Sequence, residues 1–501
     1  MKQARRVVGK IIPAVLAVAM VLAVAPGCAK EDTAASTLPA VHSPGGEGTG
    51  GKTLPEVQLI WYLRGSKPKN AEAVVAKANE ITKAKINATV EYRFVEPGDY
   101  DQKLQLAMAS GEAYDIAWTS NWSNNYVENV NKGAYLALDD YLPQFPKLQQ
   151  ALPQLVWNAV KVKEKIYGVY NYQILSLPMG FMFKKDLVDK YKLDVSHITK
   201  LSDLTPIFEK IRQGEPDVVP VKFGVPNLAQ IMEQGTVNLI EDFVVDTSSW
   251  KITGYRWTKE DMMPHYRLMR EWYTKGFFPS NVSTASEGDQ ALAKAGRLFS
   301  EYSGYKPGVE AEQQAKLGYE VIVKALTKPG RIRTLYSTLS AISKNSKNPE
   351  RALMLLELVN TDKELYNLLT FGIEGQDYRK TGANRIEKIP DTYQFEAWEL
   401  GNQFNAYLLE GQDENTWQET IRLNDTVELD ELADFVFDRK PVQNELVQIS
   451  AIFKEFNPIL KNGLDEPEAA VKRFSDKLKQ AGADKVQQEI QKQLDEWRSG
   501  K

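Results

Sequence analysis

The chain has 501 residues, enough for about two to four folding units at the usual ~100–200 residues each. Its 43% hydrophobic and 26% charged residues are ordinary for a folded water-soluble chain, which argues against wholesale disorder and against a multi-span membrane protein. With 62 Lys and Arg against 66 Asp and Glu, the net charge of −4 offers no basic footprint for nucleic acid. One cysteine rules out an internal disulfide, and His42, His197 and His265 lie too far apart in sequence for a short metal-ligand motif. No metal and no cofactor are expected. The aromatic set is the unusual feature, with 10 Trp and 22 Tyr.

Lys2, Arg5, Arg6 and Lys10 form a basic start with no acid, and residues 11–25 are almost wholly apolar. That pattern predicts an export signal, and the run is shorter than the ~20 apolar residues a membrane span needs. Cys28 follows Gly27 directly and resembles a bacterial lipobox, in which the cysteine is diacylated and becomes the mature N-terminus. Ala25 and Pro26 depart from the usual lipobox residues. The alternative is a soluble secreted protein with a coincidental thiol. Without residues 1–27 the chain carries 58 basic against 66 acidic residues, so acyl chains rather than charge would hold it to anionic lipid. Residues 30–52 are rich in Gly, Pro, Ser and Thr and read as a flexible tether. Within it, Gly46 to Thr53 spells the phosphate-loop pattern GxxxxGK[ST]. That chemistry needs a strand before the loop and a helix after it, whereas here a Pro/Gly tract precedes and Pro55 follows. The tether reading is preferred.

The body begins with alternating elements. Residues 57–63 read as a strand, 70–82 as an amphipathic helix, 87–94 as a strand, and 100–110 as a second helix stopped by Gly111. Residues 114–118 form a third strand leading into the loop of Asn121 and Trp122. This βα repetition predicts a mainly parallel sheet, in which ligands sit beyond the carboxyl ends of the strands. Trp61, Arg64, Asn121 and Trp122 then share one rim. Two aromatic extended pieces, 165–173 and 177–183, read as a crossing between lobes. A strand over 297–302 ends at Glu301 and Tyr302, residues 334–342 return, and Asn348-Pro349 opens a helix over 351–360. The last 35 residues are charged and helical in period, and no internal repeat of 20–50 residues is present.

Several strings then resemble a family. Met108-Ala-Ser-Gly-Glu112-Ala-Tyr-Asp115-Ile, Gly133-Ala-Tyr-Leu-Ala-Leu-Asp139, Lys165-Ile-Tyr-Gly168 and Ser346-Lys-Asn-Pro-Glu350-Arg-Ala352 are similar to family 1 (maltose-binding-like) extracellular solute-binding proteins of ABC importers. Asn360-Thr-Asp362, Phe371-Gly-Ile-Glu-Gly375, Gly401-Asn-Gln-Phe404 and Gln493-Leu-Asp-Glu-Trp497 resemble a C-terminal domain of unassigned function, found on one branch of these lipoproteins in Gram-positive bacilli. The resemblance covers residues 55–498 and implies an α/β, two-lobed periplasmic-binding-protein-like (class II) fold. A hinge and cleft join the lobes, and a C-terminal α-rich segment extends them. It also implies delivery of a ligand to ABC permease membrane subunits. The expected division is 1–27 signal, 28–52 acylated N-terminus and linker, 53–173 with about 325–360 for the first lobe, and 174–324 with about 361–501 for the second.

A sugar site needs flat aromatic faces and a few planar polar groups. The candidate ligand-binding residues are Trp61, Arg64, Asn121, Trp122, Tyr172, Gln173, Glu301, Tyr302 and Tyr336, with Cys28 for lipidation. Arg64 is suited to forking two hydrogen bonds to adjacent oxygens. Trp61 reads equally well as core, Tyr172 and Gln173 as hinge packing. Ser337, Trp398, Asn402 and Gln403 are weaker candidates, the last three read equally well as a self-satisfied turn. The expected function is capture of a sugar or oligosaccharide by a monomeric, non-enzymatic receptor on the outer face of the cell membrane. The alternative is a secreted glycan-active enzyme, which needs two carboxylates about 5–10 Å apart across a cleft. No GxSxG, HExxH or paired Cys/His string occurs.

Overall fold

The computed structural model describes residues 54–224, 238–283, 290–433 and 435–500, and its first element is the strand Val57–Arg64. The signal segment, Cys28, the tether and the GxxxxGK[ST] string lie outside the described residues. This strand pairs in parallel with Ala88–Val95, Val57 against Ala88 through Arg64 against Val95, and on its other side with Ile116–Thr119. The helix Ala71–Ile86 makes the first crossover and buries Ala71, Val74, Ala78, Thr82 and Ile86, a stripe at helical spacing. It stops at Asn87, whose φ of 45° is left-handed. The second helix, Tyr100–Ser110, stops at Gly111 with φ 70°, where the absence of a Cβ removes the steric cost.

The first sheet has five strands in the order Ala88–Val95, Val57–Arg64, Ile116–Thr119, Leu339–Ile342, Gly168–Tyr170. Leu339–Ile342 is the one antiparallel member, and it enters only after the chain has returned from the second lobe. A late strand inserted between the third and fourth gives the expected two-lobed, class II topology. The second sheet runs Val321–Ala325, Met179–Lys184, Leu298–Gly304, Val219–Val221. A three-stranded meander, Asn238–Ile240, Phe243–Asp246 and Lys251–Tyr255, stands beside it.

Two large cores divide the apolar residues. The second combines Phe183, Phe208, Trp272 and Phe299 with Phe456, Phe474, Val486, Ile490 and Leu494. The last five come from the C-terminal helices Gln443–Lys461, Pro467–Gln480 and Ala483–Ser499, so those helices share the second lobe's core. Phe456 and Phe474 stack with centroids 5.0 Å apart, and Phe474 meets Tyr255 edge-on at 6.0 Å. The expected division near residue 361 is not where the cores part. Leu365, Tyr366, Leu369, Ile386, Leu408 and Trp417 are all buried in the first core. The cause is local: helix Pro349–Thr361 is followed at once by Lys363–Phe371, with Asp362 between them accepting a hydrogen bond from the Leu365 N–H at 2.9 Å. The chain therefore turns back over its own lobe instead of crossing.

Crossings between the cores occur near residues 172–178, 326–338 and 426–432. Asn424 accepts from the Leu175 N–H at 2.8 Å and donates to the Gln173 carbonyl at 2.9 Å. Ile332 exchanges backbone bonds with the third segment, donating to the Glu428 carbonyl and accepting from the Asp430 N–H, both at 2.9 Å. Arg333 lies 3.3 Å from the Asp430 carboxylate. No helix among the described residues is long and apolar enough to cross a membrane.

Candidate functional site

The carboxyl ends of the parallel strands in the first sheet carry Arg64 and Thr119, and the antiparallel Leu339–Ile342 begins at the same rim, with Leu339 opposite Thr119 and Tyr170. The loop after Thr119 is tightly tied. Ser120 Oγ accepts from the N–H groups of Trp122 at 3.2 Å and Ser123 at 2.8 Å, and Asp101 accepts from the Asn124 N–H at 2.8 Å. Asn125 caps the next helix through the Glu128 N–H at 3.0 Å. With its backbone committed in this way, the loop turns Asn121 and Trp122 outward, and Trp122 is 52% exposed.

Three indoles meet there. Trp118 lies 5.2 Å from Trp122 and 5.9 Å from Trp398, and Trp122 lies 6.1 Å from Trp398. The Arg64 guanidinium sits over Trp122 at 4.6 Å and over Trp118 at 5.7 Å. Every indole N–H is used: Trp118 donates to Thr338 Oγ1 at 2.9 Å, Trp122 to the Ser337 carbonyl at 3.1 Å, and Trp398 to Glu396 at 3.2 Å. The Thr338 hydroxyl also accepts from Asn171 Nδ2 at 2.9 Å and donates to the Trp398 carbonyl at 3.1 Å, which fills its one donor and two acceptor positions. Asn171 donates again to the Glu399 carbonyl at 2.9 Å. The outgoing crossing, the returning crossing and the 396–399 segment are thus joined under the indoles.

Glu399 is 1% exposed and its carboxylate stands 3.5 Å from Arg64. Burial pushes its carboxyl up to about 8, against the pull of Arg64 in the other direction. Second-lobe segments also reach the 396–416 region. Gln412 Nε2 donates to the Gly308 carbonyl at 3.2 Å, and Lys316 lies 3.9 Å from Glu396. Lys306 is paired with Glu312 at 2.9 Å. Trp122 and Trp398 offer two mutually inclined apolar faces, with the buried Trp118 edge-on beneath them and planar polar groups alongside.

Of the residues expected from sequence, the fold brings Arg64, Trp122 and the weaker candidates Ser337 and Trp398 together, with Asn121 exposed beside them. Trp61 is different: it is fully buried and packs on Tyr92 at 5.9 Å inside the first core. A central strand covered on both faces gives no alternation by which to tell a rim side chain from a core one. Tyr172 is 6% exposed and meets Phe404 edge-on at 4.8 Å, while the Gln173 carbonyl is held by Asn424. Tyr336 packs on Tyr126 at 5.2 Å and donates its hydroxyl to the Lys161 carbonyl. Glu301 faces Lys222 at 3.4 Å, and Tyr302 rests on Phe181 at 5.9 Å, both within the second lobe. Asn402 accepts from the Phe404 N–H at 3.0 Å, the self-satisfied turn considered above. Sequence reasoning missed Trp118, the fully buried base on which Trp122 and Trp398 rest, and Thr338, Glu396 and Glu399 altogether. The Trp398-Glu399 pair beside Glu396 was a visible string, but nothing local assigns it to the rim.

Residues 65–364 match the family model for bacterial extracellular solute-binding proteins, and residues 431–499 match a domain of unknown function (DUF3502). A carbohydrate ABC transporter substrate-binding protein of Streptococcus pneumoniae serotype 4 is 28% identical over 454 residues, covering 88% of this chain and 91% of that one. Lipoprotein LipO of Bacillus subtilis is 24% identical over 329 residues, covering 58% of this chain and 61% of its own. The crystal structure of the N-glycan transport solute-binding protein NgtS of Streptococcus pneumoniae is similar with a TM-score of 0.76 at 26% identity, covering 88% of this chain and 99% of that one. Its complex with Man5GlcNAc gives a TM-score of 0.71 at 26% identity, covering 89% and 99%.

Proposed function

This chain belongs to the bacterial extracellular solute-binding protein family, and from that premise we propose that it captures an N-glycan-like oligosaccharide between its lobes for an ABC importer. Sugar capture for a transporter follows from the family and its carbohydrate-binding relatives. The finer class rests on likeness to a protein crystallised with Man5GlcNAc. The observation that carries the site is the cluster of Trp118, Trp122 and Trp398 around Arg64, at the rim where the crossings meet. The indole faces of Trp122 and Trp398, with the fully buried Trp118 edge-on beneath them, cover the apolar side of a sugar ring, and Arg64 donates to its hydroxyl oxygens. Closure of the lobes on the sugar shifts an open–closed equilibrium that permease subunits read. Attachment of the chain to the outer face of the membrane through an acylated Cys28 is supported by the lipobox-like sequence and by the lipoprotein relative.

The test is a thermal-shift titration with Man5GlcNAc, followed by mass analysis of the sugar. Ligand at 100-fold its dissociation constant stabilises a fold by about 2.7 kcal/mol. A raised melting temperature with the glycan recovered intact is the expected result. Recovery of shortened glycan would turn the assignment to a glycan-active enzyme, and absence of any shift would remove the N-glycan class.

A further inference from the structure

The Arg64–Glu399 pair is built asymmetrically for a ligand. Glu399 is buried and its Oε2 has no hydrogen-bond partner among the described residues, so no sugar reaches the carboxyl itself. Arg64 keeps a side chain that is 20% exposed, with Trp122 over its face. It is the member of the pair that a ligand can touch. Its Nε is buried and has no hydrogen-bond partner among the described residues, so the donors open to a ligand are those of the exposed end of the guanidinium.

Resting on the sugar-binding reading above, we propose that Glu399 is a positioning residue that sets, through Arg64, the charge and the donors the indole subsite presents, so that a neutral glycan binds more tightly when Glu399 is protonated. In its neutral form Glu399 leaves the guanidinium free to donate to sugar oxygens. Once ionised, it draws the same guanidinium toward itself in a site of low dielectric and competes with the ligand for it. The charged and titratable groups facing Glu399 are few. Arg64 comes from the first strand, Tyr100 from the second helix and Glu396 from its own segment. The phenol of Tyr100 is held far above its usual range by burial and stays neutral across the accessible pH span. Glu396 opposes ionisation of Glu399 and is itself engaged by the Trp398 N–H and, at 3.9 Å, by Lys316. Since burial carries the Glu399 carboxyl up to about 8, the change falls where a folded protein is readily measured.

The experiment is calorimetric titration with Man5GlcNAc from pH 6.5 to 9.5 on the wild-type chain and on Glu399→Gln. A ligand that moves one carboxyl by half to one pKa unit changes affinity about three- to tenfold. The wild-type dissociation constant should rise by that factor across the range, while Glu399→Gln should stay flat near the wild-type low-pH value. Parallel profiles for the two proteins would overturn the proposal. If Glu399→Gln does not fold, the wild type alone decides: titrations at pH 8 in buffers of different ionisation enthalpy should reveal fractional proton uptake on binding, and none would overturn it. Binding without pH dependence removes this proposal alone. Absence of binding at every pH removes the sugar-binding reading as well.

Discussion

Trp122 and Trp61 show how much one side chain's surroundings decide. Trp122 is half exposed and its loop is held by Ser120, Asp101 and Asn125, so Trp122→Ala should leave the melting temperature nearly unchanged. The same substitution should cost about 2 kcal/mol of binding, about thirtyfold in the dissociation constant, as truncating an anchoring indole does. Trp61→Ala should do the reverse. It opens a void in a fully buried site and should lower stability by about 3–5 kcal/mol, read by chemical denaturation, with ligand affinity retained in the fraction that folds. Glu399 adds a pH dependence of stability whose sign is fixed. Its carboxyl is raised from the ordinary glutamate value of about 4.5 to about 8, so between those values the native state holds a proton that the unfolded chain has released. Stability therefore falls as pH rises from about 4.5 to 8, and Glu399→Gln should remove that slope in denaturant titrations. Neither Glu399 nor Trp118 stood out in sequence. Their roles depend on Arg64, Asn171 and Thr338, which arrive from three other stretches of chain.

At the level of elements, what the sequence made legible was what repeats locally. Helical spacing at Val74 and Ala78, the stop at Gly111 and the Pro349 helix start are encoded within a few residues, and the strands and helices between residues 57 and 119 stand within a few residues of their expected ends. What was not legible was partnership. The helix pair around Asp362 reads equally well as the end of one lobe or the start of another, and only burial of Leu365 and Tyr366 settles which. The C-terminal helices show the same dependence. Phe474 is fully buried, stacks on Phe456 and touches Tyr255 of the second lobe, so it joins the family-specific segment to the lobe beneath. Phe474→Ala should cost about 3–5 kcal/mol. Because both sets of residues share one core, scanning calorimetry should record one shifted transition for that lobe. A separate early transition from the C-terminal helices would contradict the shared core.

The whole molecule depends on three chain crossings that are bonded to each other as well as to the lobes. Asn424, in the last turn of the helix Thr416–Asp425 that leads into the third crossing, fastens the first crossing there, and Ile332 with Asp430 fastens the second to the third. Mechanically this is a strap hinge and not a ball joint. Three laced straps permit bending about one axis and resist twist, so the receptor should travel between its end states along a single path. Spin labels at the exposed Lys77 and Gln213, in a Cys28→Ala background, would measure this as a narrow distribution of distances. Asn424→Ala should broaden the distribution in the free protein, and equal widths would show that the lacing does not govern the motion. A carrier confined to one path also offers its partner one approach geometry, so errors of presentation are suppressed before the two proteins meet.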